Sequence, residues 1–348
     1  METNALIIGK FMPLHKGHVN MILRAADKYD NVDVCLLYHD DEDIKCAYRM
    51  TWLKDEFRTV NNINVRSLRY DPNVLNSSSE SDLVSSQQWW DYLKLYFTNT
   101  THIVGSEKYV QYMAEYAGLD YEIFDERRNI VPISATEIRK DFVKNWHYLA
   151  NSVQRDLALH ICVCGTESSG KTTLCNKIAK QLGYVTVIPE IGRCLIANAE
   201  TMSYYDLTTM FKIHNQLLHA SKRMPASPII LWDTDNITTI SYCKHFIDDE
   251  THAQSDFLKN MFEIPLADEY IFLNNSILYA ATPDRISEDE ANKLKETHMY
   301  AYKTFLNKKY NRNFAQLLNV KEYFEAEGFI KNKIDNWYRH VQAILGNV

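Results

Sequence analysis

Apolar positions along this chain switch between two periods in a repeating order. Ala5–Ile8 and Val32–Leu37 are short apolar runs that read as strands, with a helix expected from Gly17 to about Tyr29. Met50–Arg58 places Trp52, Leu53 and Phe57 on one helical face. Asn76–Ser86, rich in Ser and Asn, reads as a loop, and Gln88–Phe97 as an aromatic-rich helix. Ile103–Val104 ends a strand, Lys108–Ala117 is a helix closed by Gly118, and Glu137–Leu149 is a further helix. After the polar stretch Asn151–Asp156 the pattern restarts. Leu159–Cys164 is a strand and Lys171–Leu182 a helix. Tyr184–Ile188, Ile229–Asp233 and Glu269–Leu273 are further strands. A closing amphipathic helix, Ile334–Leu345, carries Ile334, Trp337, Val341, Ile344 and Leu345 on its apolar side. Two successive strand–helix alternations predict two α/β units with mostly parallel sheets, residues 1–155 and 156–348.

Composition agrees with that division. The chain has 348 residues, 46% hydrophobic and 24% charged, which suits about two globular domains. No apolar run approaches the ~18 residues of a membrane span. The net charge of −7 argues against nucleic-acid coating as the main role, since such chains are normally basic. The seven cysteines are an odd number, and the opening Met-Glu-Thr-Asn lacks a positive leader region, so reduced thiols in a cytoplasm are expected. Cys162 and Cys164 point to one face of an apolar strand, where a zinc site is disfavoured for want of a second ligand pair.

Two segments carry candidate chemistry. Gly165-Thr-Glu167-Ser168-Ser169-Gly170-Lys171-Thr172 matches the P-loop pattern in full, between an apolar strand and a helix. Backbone N–H groups there would wrap phosphate oxygens, Lys171 would reach the β- and γ-phosphates, and Thr172 would hold a metal ion. The first unit has a different loop after its first strand: Gly9-Lys10-Phe11-Met-Pro-Leu-His15-Lys16-Gly17-His18. Its paired imidazoles can donate to phosphate oxygens; solvated surface histidines and a metal pair are the other readings. Ile133-Ser134-Ala-Thr136-Glu137-Ile-Arg139-Lys140 opens a predicted helix, with Ser134 or Thr136 as cap. Arg139 and Lys140 are unexpected beside a helix N-terminus, and an anion held there would account for them.

Together these residues resemble the nucleotidyltransferase superfamily. G-K-F-x-P-x-H-x-G-H followed by I-S-A-T-x-I-R is the pattern of nicotinamide-mononucleotide (NMN) adenylyltransferases. Continued into G-T-E-S-S-G-K-T-T-L, which includes Thr173, it resembles the bifunctional NMN adenylyltransferase/ribosylnicotinamide kinase, the NadR family. Further fitting stretches are Arg49-Met-Thr-Trp52-Leu53, Gln88-Trp89-Trp90, Gly105-Ser106-Glu107, Asp125–Arg128, Pro189–Arg193 and Asp233–Thr239. The resemblance implies two doubly wound parallel-sheet domains, a Rossmann-like nucleotidyltransferase and a P-loop kinase. It implies nicotinamide riboside + ATP → NMN + ADP in the second, and NMN + ATP → NAD + pyrophosphate in the first, with Mg²⁺ as cofactor.

For adenylyl transfer the resemblance points to His15 and His18. It also points to Gly9, Lys10, Phe11, Lys16, Ser134, Thr136 and Arg139 for the nucleotide, and to Trp89, Trp90 and Arg49 for NMN. For the kinase, Asp233 ends an apolar strand where a metal-linked carboxylate belongs, with Glu190 and Asp235 as rivals for the base. Arg193, Asp235 and Arg285 are candidate clamps for riboside or phosphate. Three departures stand out. The first strand begins at residue 5, so the helix-turn-helix and repressor role of enteric relatives are not expected here. Cys194 stands where an acidic residue is usual, and Thr282–Ile286 is a shorter lid stretch. Partners are expected to be ATP, nicotinamide riboside, NMN and NAD, without nucleic acid or membrane; a homo-oligomer is open. The alternatives are another adenylyl- or cytidylyltransferase fused to a P-loop kinase, or a nucleotide-sensing regulator without turnover.

Overall fold

The computed structural model describes residues 2–76, 82–195, 203–246, 264–274, 288–309, 317–320 and 323–346. The described chain forms two compact α/β units, Met1–Asp156 with Arg339–Val348, and Leu157–Tyr338.

In the first unit five strands lie in the order β3-β2-β1-β4-β5, every neighbouring pair parallel. They are β1 Asn4–Gly9, β2 Asn31–Tyr38, β3 Ile63–Arg69, β4 His102–Gly105 and β5 Asp120–Ile123. The central run Ala5–Ile8 is buried throughout, which is why it reads as unbroken apolar sequence. Leu6, Ile8, Cys35 and Ile103 from the sheet meet Leu93, Val110 and Met113 from flanking helices in one core cluster.

The second unit repeats the architecture in the order β10-β9-β6-β8-β7, again parallel throughout. Its strands are β6 Leu159–Gly165, β7 Val185–Ile188, β8 Ile229–Asp233, β9 Glu269–Leu273 and β10 Leu317–Val320. Cys162 and Cys164 are buried in its core cluster with Trp232, Tyr270 and Phe272. In each unit the strand that leads into the candidate loop, β1 or β6, is the middle one.

Several expectations change. Strands β3 and β5 and the helices Tyr204–Arg223 and Glu288–Lys309 carry no simple apolar signal and were not expected. The closing helix begins at Tyr323 rather than Ile334. The helix expected over Glu137–Leu149 is only Ala135–Lys140, followed by a 3₁₀ turn at Trp146–Tyr148. Arg139 and Lys140 therefore lie in its last turn, where the dipole favours cations, and the argument from misplaced charge falls away. Among the described residues no helix is long and apolar enough to cross a membrane.

The tightest backbone approach is at Gly165, where φ is +143° and an added Cβ would stand 2.4 Å from the Leu273 carbonyl oxygen. A Gly165→Ala variant should lose about 2 kcal/mol or more of stability. Chemical denaturation of the variant against wild type measures the loss.

Candidate active site

In the first unit the turn from β1 into the helix Lys16–Lys28 is shaped by His15, which caps that helix. The Gly17 N–H donates to His15 Nδ1 at 3.1 Å, so in a neutral ring the proton sits on Nε2. An added Cβ at Gly17 would stand 2.9 Å from His15 Cε1, so a side chain there would push the ring from its place. His15 and His18 stack with ring centroids 3.8 Å apart, and Phe11 packs edge-on to His18 at 5.0 Å. Arg139 reaches back to donate to the Met12 carbonyl, 127 residues away in sequence. His18 Nδ1 and Arg139 Nε are shut off from solvent with no hydrogen-bond partner.

Burial pulls the His15 pKa down to about 4, with Arg128 adding to the effect. His18 is held well below the usual imidazole range by burial first, then by His15 and Arg128. Both rings are therefore neutral at pH 7. Each can donate one N–H, and an arriving anion would raise both pKa values.

These residues line one cavity of about 710 Å³. Of the expected residues it gathers Gly9, Lys10, Phe11, His15, His18, Ser134, Thr136, Arg139 and Trp89. Ser134 and Glu137 form a reciprocal capping box, so the Ser134 hydroxyl serves the helix while its residue faces the cavity. Three expected residues are not in the lining. Lys16 is exposed on the helix. Trp90 packs against the core cluster. Arg49 is fully buried, paired with Glu42 and donating to the Lys10 carbonyl at 2.8 Å, so it supports the loop from behind.

The wall also has residues assigned no role from the sequence, although four of them lie in the fitting stretches: Ser86, Ser106, Glu107, Tyr109, Asp125 and Arg128. The Asp125 carboxylate accepts from the N–H groups of Asn129, Ile130 and Val131 and folds a tight loop that includes Arg128, at φ +53°. The signal available was Asp125-Glu-Arg-Arg128 itself, a charged run without helical period just before the second motif.

In the second unit the P-loop joins β6 to the helix Lys171–Leu182, with Ser168 and Gly170 at positive φ. Ser169 Oγ donates to the Thr166 carbonyl at 2.8 Å, and Tyr242 OH to Glu167 Oε1 at 2.7 Å. Lys171 is buried, its Nζ donating to the Gly165 and Thr166 carbonyls at 3.2 and 2.9 Å. Thr172 Oγ1 donates to Asp233 Oδ2 at 2.6 Å, bringing two hard oxygen donors together. Thr173 is exposed. Glu190, just beyond β7, is partly exposed and acts electrostatically on His214 of the helix Tyr204–Arg223. Asp235 is fully buried, accepting from Tyr302 OH at 2.6 Å and from the Ile237 N–H at 3.0 Å. Its Oδ1 is thus taken up by Tyr302 and the Ile237 N–H rather than by Thr172. The Arg193 side chain, Arg285 and the stretch Thr282–Ile286 lie outside the described residues.

The AAA domain family matches residues 160–317. The chain is similar to the trifunctional NAD biosynthesis/regulator protein NadR of Escherichia coli (strain K12), 25% identical over 276 residues and 70% of this chain. The corresponding protein of Salmonella typhimurium is 25% identical over 271 residues, 69% of this chain. The chain spans 63% and 62% of the length of these two proteins. A crystal structure of a NadR protein in complex with NAD and AMP-PNP shares the fold, with a TM-score of 0.53 and 20% identity, over 95% of this chain and 96% of that one.

The lowered histidine pKa values set a pH dependence. The unfolded chain protonates His15 near 6.5 and the folded chain near 4. Stability is therefore lost as pH falls between those values, by about 3 kcal/mol in all for His15. NMR titration of the imidazole protons should place His15 near pH 4, and added pyrophosphate should move it upward. A titration that pyrophosphate leaves unchanged would rule out an anion at this ring.

Proposed function

We propose, from the similarity of this chain to NadR proteins and from its two phosphate-binding turns, that it is a bifunctional enzyme of NAD synthesis. The second unit phosphorylates nicotinamide riboside with ATP, and the first adenylylates the resulting NMN. The observation that carries the reading is the convergence of His15, His18 and Arg139 on one cavity from opposite ends of the first unit's sequence.

In adenylyl transfer the NMN phosphate oxygen attacks the α-phosphorus of ATP and pyrophosphate leaves. The nucleophile is already anionic, so the protein needs no strong base; its task is positioning and charge stabilisation. His15 donates through Nε2–H, His18 donates to charge developing on the transferred group, and Arg139 with Arg128 holds the leaving pyrophosphate. Lys10 lies at the same wall, and Trp89 supplies a flat apolar face for the nicotinamide ring.

In phosphoryl transfer a riboside hydroxyl attacks the γ-phosphorus and ADP leaves. Phosphate oxygens take the Lys171 ammonium from the Gly165 and Thr166 carbonyls. The oxygen donors Thr172 and Asp233 fit Mg²⁺, which supplies charge neutralisation at the phosphates. With Asp233 facing Thr172 and Asp235 turned inward, Glu190 is left to accept the hydroxyl proton.

Three variants test this scheme in one coupled assay with ATP, Mg²⁺ and nicotinamide riboside, following NMN and NAD. His18→Ala should slow NAD formation by about 10²–10³ while NMN accumulates. Lys171→Ala should abolish NMN formation while adenylylation of supplied NMN continues. Glu190→Gln should lower riboside phosphorylation with nucleotide binding kept. Turnover of phosphopantetheine in place of NMN, or nucleotide binding without any turnover, would overturn the reading.

A further inference from the structure

Between Asp233, which meets Thr172, and Asp235, which turns into the core, stands Thr234 at φ +71°. That conformation is a genuine outlier for a β-branched residue and is strained. Something must hold it. The Thr234 N–H donates to the Val163 carbonyl of β6 at 3.0 Å. Its hydroxyl meets Thr238 Oγ1 at 2.7 Å, Thr238 Oγ1 meets Tyr302 OH at 2.8 Å, and Tyr302 OH meets Asp235 Oδ1 at 2.6 Å.

Proton counting gives this chain a direction. Each hydroxyl has one proton to donate. Tyr302 gives its proton to the Asp235 carboxylate, so Thr238 must give its own to Tyr302, and Thr234 to Thr238. The result is a polarised ring of buried hydrogen bonds, closed through the peptide that joins Thr234 to Asp235, in which each bond strengthens the next. Tyr302 is the one member from outside this segment. It comes from the helix Glu288–Lys309 and is fully buried.

We infer that Tyr302 is a positioning residue for the phosphoryl-transfer site: it locks Thr234 in its left-handed conformation and thereby holds Asp233 against Thr172. The inference rests on the kinase reading of the second unit. It adds a requirement that the P-loop does not state, namely that a tyrosine in a distant helix sets the metal-binding carboxylate.

The test measures AMP-PNP binding by calorimetry across a Mg²⁺ titration, with thermal melting alongside. In Tyr302→Phe the Mg²⁺ concentration needed for half-maximal enhancement of binding should rise about tenfold, with Mg²⁺-free binding unchanged. Riboside phosphorylation should lose kcat rather than gain KM, while adenylylation of NMN is unaffected. Glycine adopts positive φ without strain and needs no hydroxyl chain, so adding Thr234→Gly to Tyr302→Phe should restore the Mg²⁺ response. A Tyr302→Phe protein that melts lower yet keeps the wild-type Mg²⁺ response has lost only packing and overturns the inference. So does failure of the double variant to recover. If wild type enhances AMP-PNP binding with Mg²⁺ but phosphorylates no riboside, the proposed substrate is wrong, and the titration still decides the role of Tyr302.

Discussion

A parallel sheet brings every strand to the same edge, and in both units that constraint places the chemistry. At the carboxyl end of the middle strand the backbone must leave the sheet and enter a helix whose first N–H groups have no partner within it. Those donors face a crevice between flanking strands, and anions collect there. The loops after β1 and β6 share no sequence, yet both occupy this position. Both depend on a glycine where a side chain would collide: Gly17 against the His15 ring, Gly165 against the Leu273 carbonyl.

The two units solve the charge problem differently. The P-loop keeps a permanent cation, Lys171, buried against two carbonyls, which the proposed kinase reaction would exchange for phosphate oxygens. The first unit uses stacked imidazoles that burial keeps neutral, beside two guanidinium groups. Neutral rings are cheaper to bury than ammonium groups, and they gain charge only when an anion arrives to balance it. In the adenylyl transfer proposed above, where a highly charged product would leave, such donors suit the site because their affinity follows the charge present.

Legibility in the sequence followed burial. Strands β1, β2, β6, β8 and β9 read as apolar runs because both their faces are covered. Strands β3 and β5 stand at the edges of the first sheet, have no fully buried position, and include Arg66, Arg69, Asp120 and Glu122, so their pattern resembled loop. The phosphate loops were legible because their spacing encodes local backbone geometry. The placing of Arg49 and Trp90 outside the lining, and of Arg128 within it, depends on which way a helix face or loop is turned, which residue identity alone does not specify. Asp233 and Asp235 are both buried, and one left-handed residue, Thr234, turns the first toward Thr172 and the second toward Tyr302.

Arg49 shows what such a corrected residue contributes. Its guanidinium is fully buried, its Nε has no hydrogen-bond partner, and its carboxylate partner Glu42 is buried with it. Removing two charges from water at that depth gains little stability, since the desolvation cost offsets most of the attraction. The pair is better understood through what it fixes. Arg49 holds the Lys10 carbonyl, and Glu42 holds the Lys10 ammonium at 3.2 Å. One buried ion pair thus pins both the backbone and the side chain of the residue that opens the phosphate loop. A fixed position for Lys10, rather than folding energy, is the physical return on burying the pair.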